Sequence, residues 1–255
     1  MQSGDPIALG VDIGGTFIKS ALVNSRDGTL ASDVLKVDTP ANAPPLSLIH
    51  CVAELLRRFQ WGGAVGIGFP GVVDRSIVRT AVHLRSDWIG INIIELCRQL
   101  RCSTCQVVND ADAAGIAEMT FGAGKQRQAG KGDVILLVTL GTGIGSALFV
   151  SGQLVPNTEF GHIYTEDGVE AEALAAASLR ERSNMSWEEW GGRVSQYLRL
   201  VRRIAQPDLI ILGGGVIENW NRFAMYLPSE VRVVPAVLGN HAGLIGAACR
   251  AIISA

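Results

Sequence analysis

Near the start of the chain, Gly15-Thr16-x-Ile18-x-Ser20-Ala21-Leu22 returns 126 residues later as Gly141-Thr142-x-Ile144-x-Ser146-Ala147-Leu148. Each copy follows an apolar run, 7–13 and 134–140, and leads into a second one. Apolar runs joined by Gly and Thr read as strand, tight turn, strand, so one hairpin is built twice. Glycine at such a turn permits positive φ and removes the Cβ that would keep a ligand from the backbone. Successive turn N–H groups then form a concavity suited to phosphate oxygens. A lone Gly-Thr hairpin is more often a plain turn. A second copy in fixed register points to a duplicated unit that holds a phosphoryl chain between two lobes.

Apolar runs bounded by turn residues predict strands at 7–13, 17–24, 65–69, 105–109, 133–140, 144–150, 208–213 and 231–235, with a more polar strand at 30–39. Between them, helices are expected at 45–59, 92–101, 111–121, 170–182, 186–205, 217–226 and 242–253. Ser186 with Glu189 three residues on is a capping box, and Pro207 stops that helix. Strands alternating with helices indicate a mixed α/β fold. The duplication divides the chain into a small lobe, 1–109, and a large lobe, 110–240, expected to pack around a ligand cleft. The segment 241–255 is grouped with the small lobe, an assignment the sequence alone leaves open.

A chain of 255 residues has ample core, and 30 glycines suit many turns. The net charge of −2 favours neither nucleic acid nor an anionic membrane as partner. The apolar runs are too short to span a bilayer, and residues 1–6 lack the features of a signal peptide. A cytoplasmic enzyme is expected. Five cysteines at irregular spacing argue against a disulfide framework, and the lone Cys102-Ser-Thr-Cys105 pair is assigned a structural or incidental role.

The apolar strand Val107-Val108 ends on Asn109-Asp110 and passes into a helix. Carboxyl ends of strands in α/β sheets open onto ligand sites, where Asp110 can accept the proton of an attacking hydroxyl. Helix capping is the competing role for Asp110, and Asp112 is available for it. Glu159-Phe160-Gly161-His162 places an acid and an imidazole where they can converge on a polar ligand. With no further His or Cys nearby, a closed metal site is not expected. Glu166, Asp167, Glu170 and Glu172 add carboxylates, most of them expected in a solvated loop. Gly66-Ile67-Gly68-Phe69-Pro70-Gly71 exposes backbone for close ligand approach, and Trp88 is divided between stacking a sugar face and filling the core. Gly213-Gly214-Gly215, joining a strand to a helix, admits a phosphate or nucleotide.

Taken together, these segments resemble the ROK family within the sugar-kinase branch of the actin–hexokinase–Hsp70 superfamily. Asp12-Ile13-Gly14-Gly15-Thr16 is similar to the family's first phosphate motif, and Leu140-Gly141-Thr142-Gly143-Ile144-Gly145 to the second. Leu212-Gly213-Gly214-Gly215 resembles the adenosine-side motif, Asn109-Asp110-Ala111 the catalytic segment, and Glu159-Phe160-Gly161-His162 the sugar motif. Residues 109–124, 139–150 and 154–162, with Ser186 to Trp190 and Val233 to Ala236, more narrowly resemble polyphosphate glucokinases and glucomannokinases. ROK members usually follow Gly-His with a cysteine-rich zinc motif; residues 163–181 contain no cysteine, so no structural zinc is carried over. The polyphosphate-using branch likewise lacks it. No helix-turn-helix precedes the first strand, which disfavours the repressor branch.

The resemblance implies a duplicated actin/hexokinase-like (ribonuclease H-like) α/β fold and phosphoryl transfer to the 6-hydroxyl of glucose from inorganic polyphosphate, ATP or both. Asp110 is the implied base. Gly71, Asn109, Glu159, His162 and Glu172 are the implied sugar contacts, with Glu170 in reserve for Glu172. On the donor side stand Asp12, Gly14, Gly15, Thr16, Lys19, Gly141, Thr142, Gly143, Gly213, Gly214 and Gly215. Asp12 is placed to hold Mg²⁺ directly or through water, and its counterpart in the repeat is Val138. Lys125, Arg127 and Lys131 are candidates for a polyphosphate track, with a solvated loop as the alternative. The family's habit implies a homodimer. A strictly ATP-dependent hexose kinase and a non-catalytic sugar-binding regulator remain the alternatives.

Overall fold

The computed structural model describes residues 6–81, 84–125 and 132–253. The chain forms two compact units, one running to Ala117 and resuming at His241, the other spanning Glu118–Asn240. The first is built on strands β1 (Ile7–Ile13), β2 (Phe17–Asn24), β3 (Leu35–Asp38), β4 (Ala64–Phe69), the short β5 (Val73–Asp74) and β6 (Ile77–Val78), and β7 (Thr104–Asn109). With these go helices α1 (Pro45–Arg58) and α2 (Ile93–Cys97), and α3 (Asp110–Thr120) begins in the same unit. The second contains β8 (Val134–Leu140), β9 (Ile144–Val150), β10 (Gln153–Val155), α4 (Ala171–Ala175), α5 (Ala177–Arg182), α6 (Trp187–Ala205), β11 (Leu209–Gly213), α7 (Trp220–Phe223) and β12 (Val233–Pro235). Helix α8 (Ala242–Ile253) returns to the first unit.

The two main sheets repeat one plan. Their strand orders are β3-β2-β1-β4-β7 and β10-β9-β8-β11-β12. In each, three antiparallel strands are followed by two parallel ones. Strands β1 and β8 share one burial pattern, with only their first and next-to-last residues partly exposed. That pattern corrects one sequence expectation. Counted along the strands, the equivalent of Asp12 is Thr139 and not Val138, which is fully buried. Asp12 lies opposite Lys19 and Gly68, as Thr139 lies opposite Gly145 and Gly213.

Glycines let α8 sit directly on the first sheet. A Cβ on Gly10 would lie 2.0 Å from the Leu244 carbonyl oxygen, and one on Gly66 1.7 Å from that of Ala247. Gly66 therefore serves helix packing, contrary to the ligand approach expected of it. Trp88 also proves to be core: it is fully buried, packs on Phe69 at 5.0 Å, and donates its indole N–H to the Ala43 carbonyl at 2.7 Å.

In the second unit, α6 buries Trp190, Val194, Tyr197, Leu198 and Val201 along one face, the spacing of an amphipathic helix. Its Ser186 cap accepts the Glu189 N–H at 3.0 Å. Two expected helices are broken. The 170–182 stretch divides at Ala176, whose ψ of 144° is extended. The 217–226 stretch is a 3-10 turn, one short helix and another 3-10 turn.

All five cysteines are free thiols. Cys105 hydrogen-bonds to Cys97, which with burial drives its pKa far above the ordinary thiol value and leaves it unreactive. No described helix is long and apolar enough to cross a membrane.

Candidate active site

In the first unit, β1, β4 and β7 run parallel, with Asp12 level with Gly68 and Gly68 level with Val108. Their carboxyl ends therefore share one edge, and Asp110 emerges from it two residues past Val108. Asn109 is 5% exposed, so its amide must be satisfied internally. Its Oδ1 accepts the N–H groups of Ala111 at 2.9 Å and Asp112 at 3.0 Å, and its Nδ2 donates to the Gly71 carbonyl at 3.1 Å. The α3 cap is thus Asn109 and not Asp112. One Nδ2 proton is left for a ligand. Asp110 stays partly exposed, and its Oδ1 accepts the Ala111 N–H at 2.8 Å. Gly71 has no room for a side chain, since a Cβ would lie 2.5 Å from the Thr80 carbonyl oxygen.

On the same sheet, the β1–β2 turn is closed by the Gly14 N–H donating to the Phe17 carbonyl at 3.0 Å. Thr39 braces it, its hydroxyl donating to the Gly14 carbonyl at 2.6 Å and its N–H to that of Thr16 at 2.9 Å. Gly15 and Thr16 are exposed at its tip. Below it, Lys19 Nζ lies 3.7 Å from Asp12 Oδ2. The first turn of α8 rests on that carboxyl, for a Cβ on Gly243 would meet it at 3.1 Å. Burial holds the Asp12 pKa above its ordinary value, outweighing the downward pull of Lys19. No described group of three or more His, Cys, Asp or Glu side chains suits a metal ion. A lone carboxylate still fits Mg²⁺, which commonly takes one or two protein carboxylates and completes its shell with phosphate and water.

The second unit holds its own phosphate-type turn with an acid–imidazole group beside it. Ser178 in α5 ties the turn down, its N–H donating to the Gly141 carbonyl at 3.0 Å and its hydroxyl to that of Thr142 at 2.6 Å. Immediately after the turn, the Ile144 N–H donates to Glu172 Oε2 at 2.9 Å. A Cβ on Gly161 would lie 2.2 Å from the Ile144 carbonyl oxygen, so the Glu-x-Gly-His segment sits against this strand. The Ser146 hydroxyl anchors it by accepting the Phe160 N–H at 3.0 Å. His162 is thereby set between two acids, Nδ1 2.6 Å from Glu170 Oε1 and Nε2 3.6 Å from Glu159 Oε2. The short Nδ1 contact to a carboxylate assigns a proton to Nδ1. Glu170, the reserve choice, is therefore the residue on the imidazole, while Glu172 is engaged with the turn backbone.

Gly214, at φ +90°, packs against β8, where a Cβ would meet the Leu140 carbonyl oxygen at 2.2 Å. Its neighbour Gly215 joins Gly141, Thr142, Arg180, Trp187 and Asn240 in lining a pocket of about 470 Å³ inside the second unit. Sequence reasoning missed Thr39, Ser178, Arg180 and Trp187 as site residues. No local signal marks them, because each reaches the site through contacts between segments distant in the chain. Lys125 is exposed at the end of the turn after α3, and Arg127 and Lys131 lie outside the described residues.

The chain matches the ROK family over residues 8–174. It is 39% identical over 244 residues to a polyphosphate glucokinase of Mycobacterium tuberculosis (strain CDC 1551 / Oshkosh), covering 95% of this chain and 90% of that one. A polyphosphate glucokinase of Mycobacterium leprae (strain TN) is 40% identical over 240 residues, covering 94% and 72%. Among solved structures, the inorganic polyphosphate/ATP-glucomannokinase from Arthrobacter sp. strain KM aligns with a TM-score of 0.90 at 36% identity, covering 98% and 99%. With a family match across most of its length and relatives this similar end to end, the chain belongs to the ROK family.

Proposed function

We propose that this protein is a glucokinase that transfers a phosphoryl group from inorganic polyphosphate, ATP or both to the 6-hydroxyl of glucose. The observation that carries the reading is in the second unit, where the Glu159–His162–Glu170 group is built directly onto the strand that leaves a Gly/Thr turn. Sugar-hydroxyl partners beside a phosphate-type turn are what a sugar kinase requires. The names of the relatives at 39–40% identity support glucose and polyphosphate, and that of the glucomannokinase adds ATP.

In this reading Asp110 takes the proton of the 6-hydroxyl as the oxygen attacks phosphorus. The spare Asn109 N–H, Glu159 and His162 fix the other hydroxyls, with Glu170 holding the imidazole in place. Glu172, the first choice for a sugar contact, is read instead as steadying the turn, and Glu170 acts through the imidazole. Backbone N–H groups and the hydroxyls of Thr16 and Thr142 receive donor oxygens, with Lys19 neutralising charge. Mg²⁺, held through Asp12, would neutralise negative charge on the donor when bound. The same reading makes the enzyme cytoplasmic and homodimeric, with no nucleic-acid or membrane partner.

Purified protein incubated with glucose, Mg²⁺ and either polyphosphate or ATP tests this. Glucose 6-phosphate is expected. Tight glucose binding with no product from either donor would instead identify a sugar-binding regulator, and product from ATP alone a strictly ATP-dependent hexose kinase.

A further inference from the structure

The pocket beside the second turn has an unusual wall. Arg180 lays its guanidinium on the Trp187 ring, Cζ 3.6 Å from the centroid, and Arg222 sits 5.1 Å from the same ring. Phe223 stacks near it too, at 6.1 Å and 17°. Among the described residues Trp187 is the only aromatic one lining the pocket, and its ring is already engaged by these neighbours. It is therefore a poor platform for a nucleotide base. Two polar atoms in this wall, Arg180 Nε and Trp187 Nε1, are closed off from solvent with no hydrogen-bond partner among the described residues. Arg180, which lines the pocket, carries only donors, so a ligand held against it must be rich in acceptors. Neither Arg180 nor Arg222 has an ion-pair partner among the described residues.

The position of Arg180 follows from the turn. Ser178 binds the carbonyls of Gly141 and Thr142, so α5 leaves the turn at a defined point and Arg180 follows two residues later. Exposed Glu181 and Glu218 also border the pocket. Their carboxylates repel phosphate, which leaves Arg180, the cationic residue of the lining, to receive an anionic chain.

We propose that Arg180, seated on Trp187, receives the phosphates of a polyphosphate chain beyond those held by the Gly141–Gly143 turn, making it a donor-specificity residue. This rests on the glucokinase reading and adds which part of the donor the pocket selects. A polyphosphate chain still carries charge where ATP presents a neutral nucleoside. Arg180 therefore favours polyphosphate over ATP.

The experiment compares wild type with Arg180→Gln and Arg180→Lys, after thermal denaturation has established that each folds. Calorimetric titration with polyphosphate and with ATP gives affinities without turnover, and steady-state kinetics at saturating glucose gives KM and kcat for each donor. Arg180→Gln is expected to raise the polyphosphate dissociation constant and KM roughly tenfold or more, to change those for ATP less than about threefold, and to leave kcat nearly intact. Arg180→Lys, which keeps the charge, recovers part of the loss. Equal losses for both donors would mean that Arg180 serves the nucleotide as well, and no loss for either would remove it from donor binding; both overturn the proposal. If Arg180→Gln does not fold, Arg180→Lys and Trp187→Phe decide it, since a donor preference unchanged in both is equally fatal. If wild type makes no glucose 6-phosphate at all, the glucokinase reading fails, and the polyphosphate titration still judges Arg180 on its own.

Discussion

The two Gly/Thr hairpins share six residues in register, yet they close differently. The first pairs Ile13 with Ile18 across four turn residues, and the second pairs Leu140 with Ile144 across three. The flank sets the difference. Gly14 is free to leave its strand, whereas the aligned Leu140 is fully buried and is held in the sheet by the core. A one-residue change in closure moves the strand positions beneath the turn, which is why Thr139 and not Val138 stands where Asp12 stands. The turns are braced differently as well, the first by Thr39 beside β3 and the second by Ser178 and Glu172 from helices. Duplication therefore preserved the sheet and the phosphate-type turn, and divergence around it made one copy acidic and the other neutral.

The largest expected effect tests whether the first unit alone supplies the base. Asp110→Asn should keep the fold and lower kcat by about 10²–10⁴-fold. Near-normal turnover would remove Asp110 from that role.

Next comes the asymmetry itself. Asp12→Asn should lower kcat by roughly 10²-fold while Thr139→Val costs less than about tenfold, and equal effects would erase the distinction between the copies. The same pair differs in pH dependence. Because burial raises the folded pKa of Asp12 above its ordinary 3.8, the aspartate stabilises the fold below that pH and loses this contribution as pH rises through the folded value. Melting curves should accordingly put Asp12→Asn at or above wild type at neutral pH, with the gap closing toward pH 3.8, and Thr139→Val should show no such trend.

Glycines separate turn tips from packing points. Gly214→Ala should cost about 2–4 kcal/mol, combining positive-φ strain with the clash on Leu140. Gly15→Ala and Gly141→Ala, whose added Cβ atoms meet nothing within 4 Å, should stay within about 0.5 kcal/mol by denaturant titration. A small effect is also expected of Glu172→Gln, which keeps an acceptor for the Ile144 N–H and should lose no more than about 1 kcal/mol. A large rise in glucose KM in that variant would return Glu172 to the sugar.

Much of this was legible in the chain. Strand periodicity located every long strand, because alternation and short apolar runs are local properties. The Ser186 cap was legible for the same reason. Errors cluster where a partner is distant. Gly66 resembles a ligand-approach glycine until α8, about 180 residues later, is seen lying on it. The helix expected at 170–182 reads as continuous because the break at Ala176 arises from packing, with Trp190 donating to the Ala175 and Ala176 carbonyls at 3.2 Å. Asp112 seemed the natural cap, and Asn109 took the role because it is buried and has no water to turn to.

Sequence by itself determined the duplicated α/β plan, the two glycine turns, Asp110 at a strand's carboxyl end and the Glu-x-Gly-His segment, all of which depend on residues close together in the chain. Tertiary structure alone decided which acid meets His162, which residue opposes Gly68 across the sheet, and that Arg180 lies on Trp187. Such contacts depend on where separate segments come to rest, and a burial difference at one flanking residue is enough to shift them.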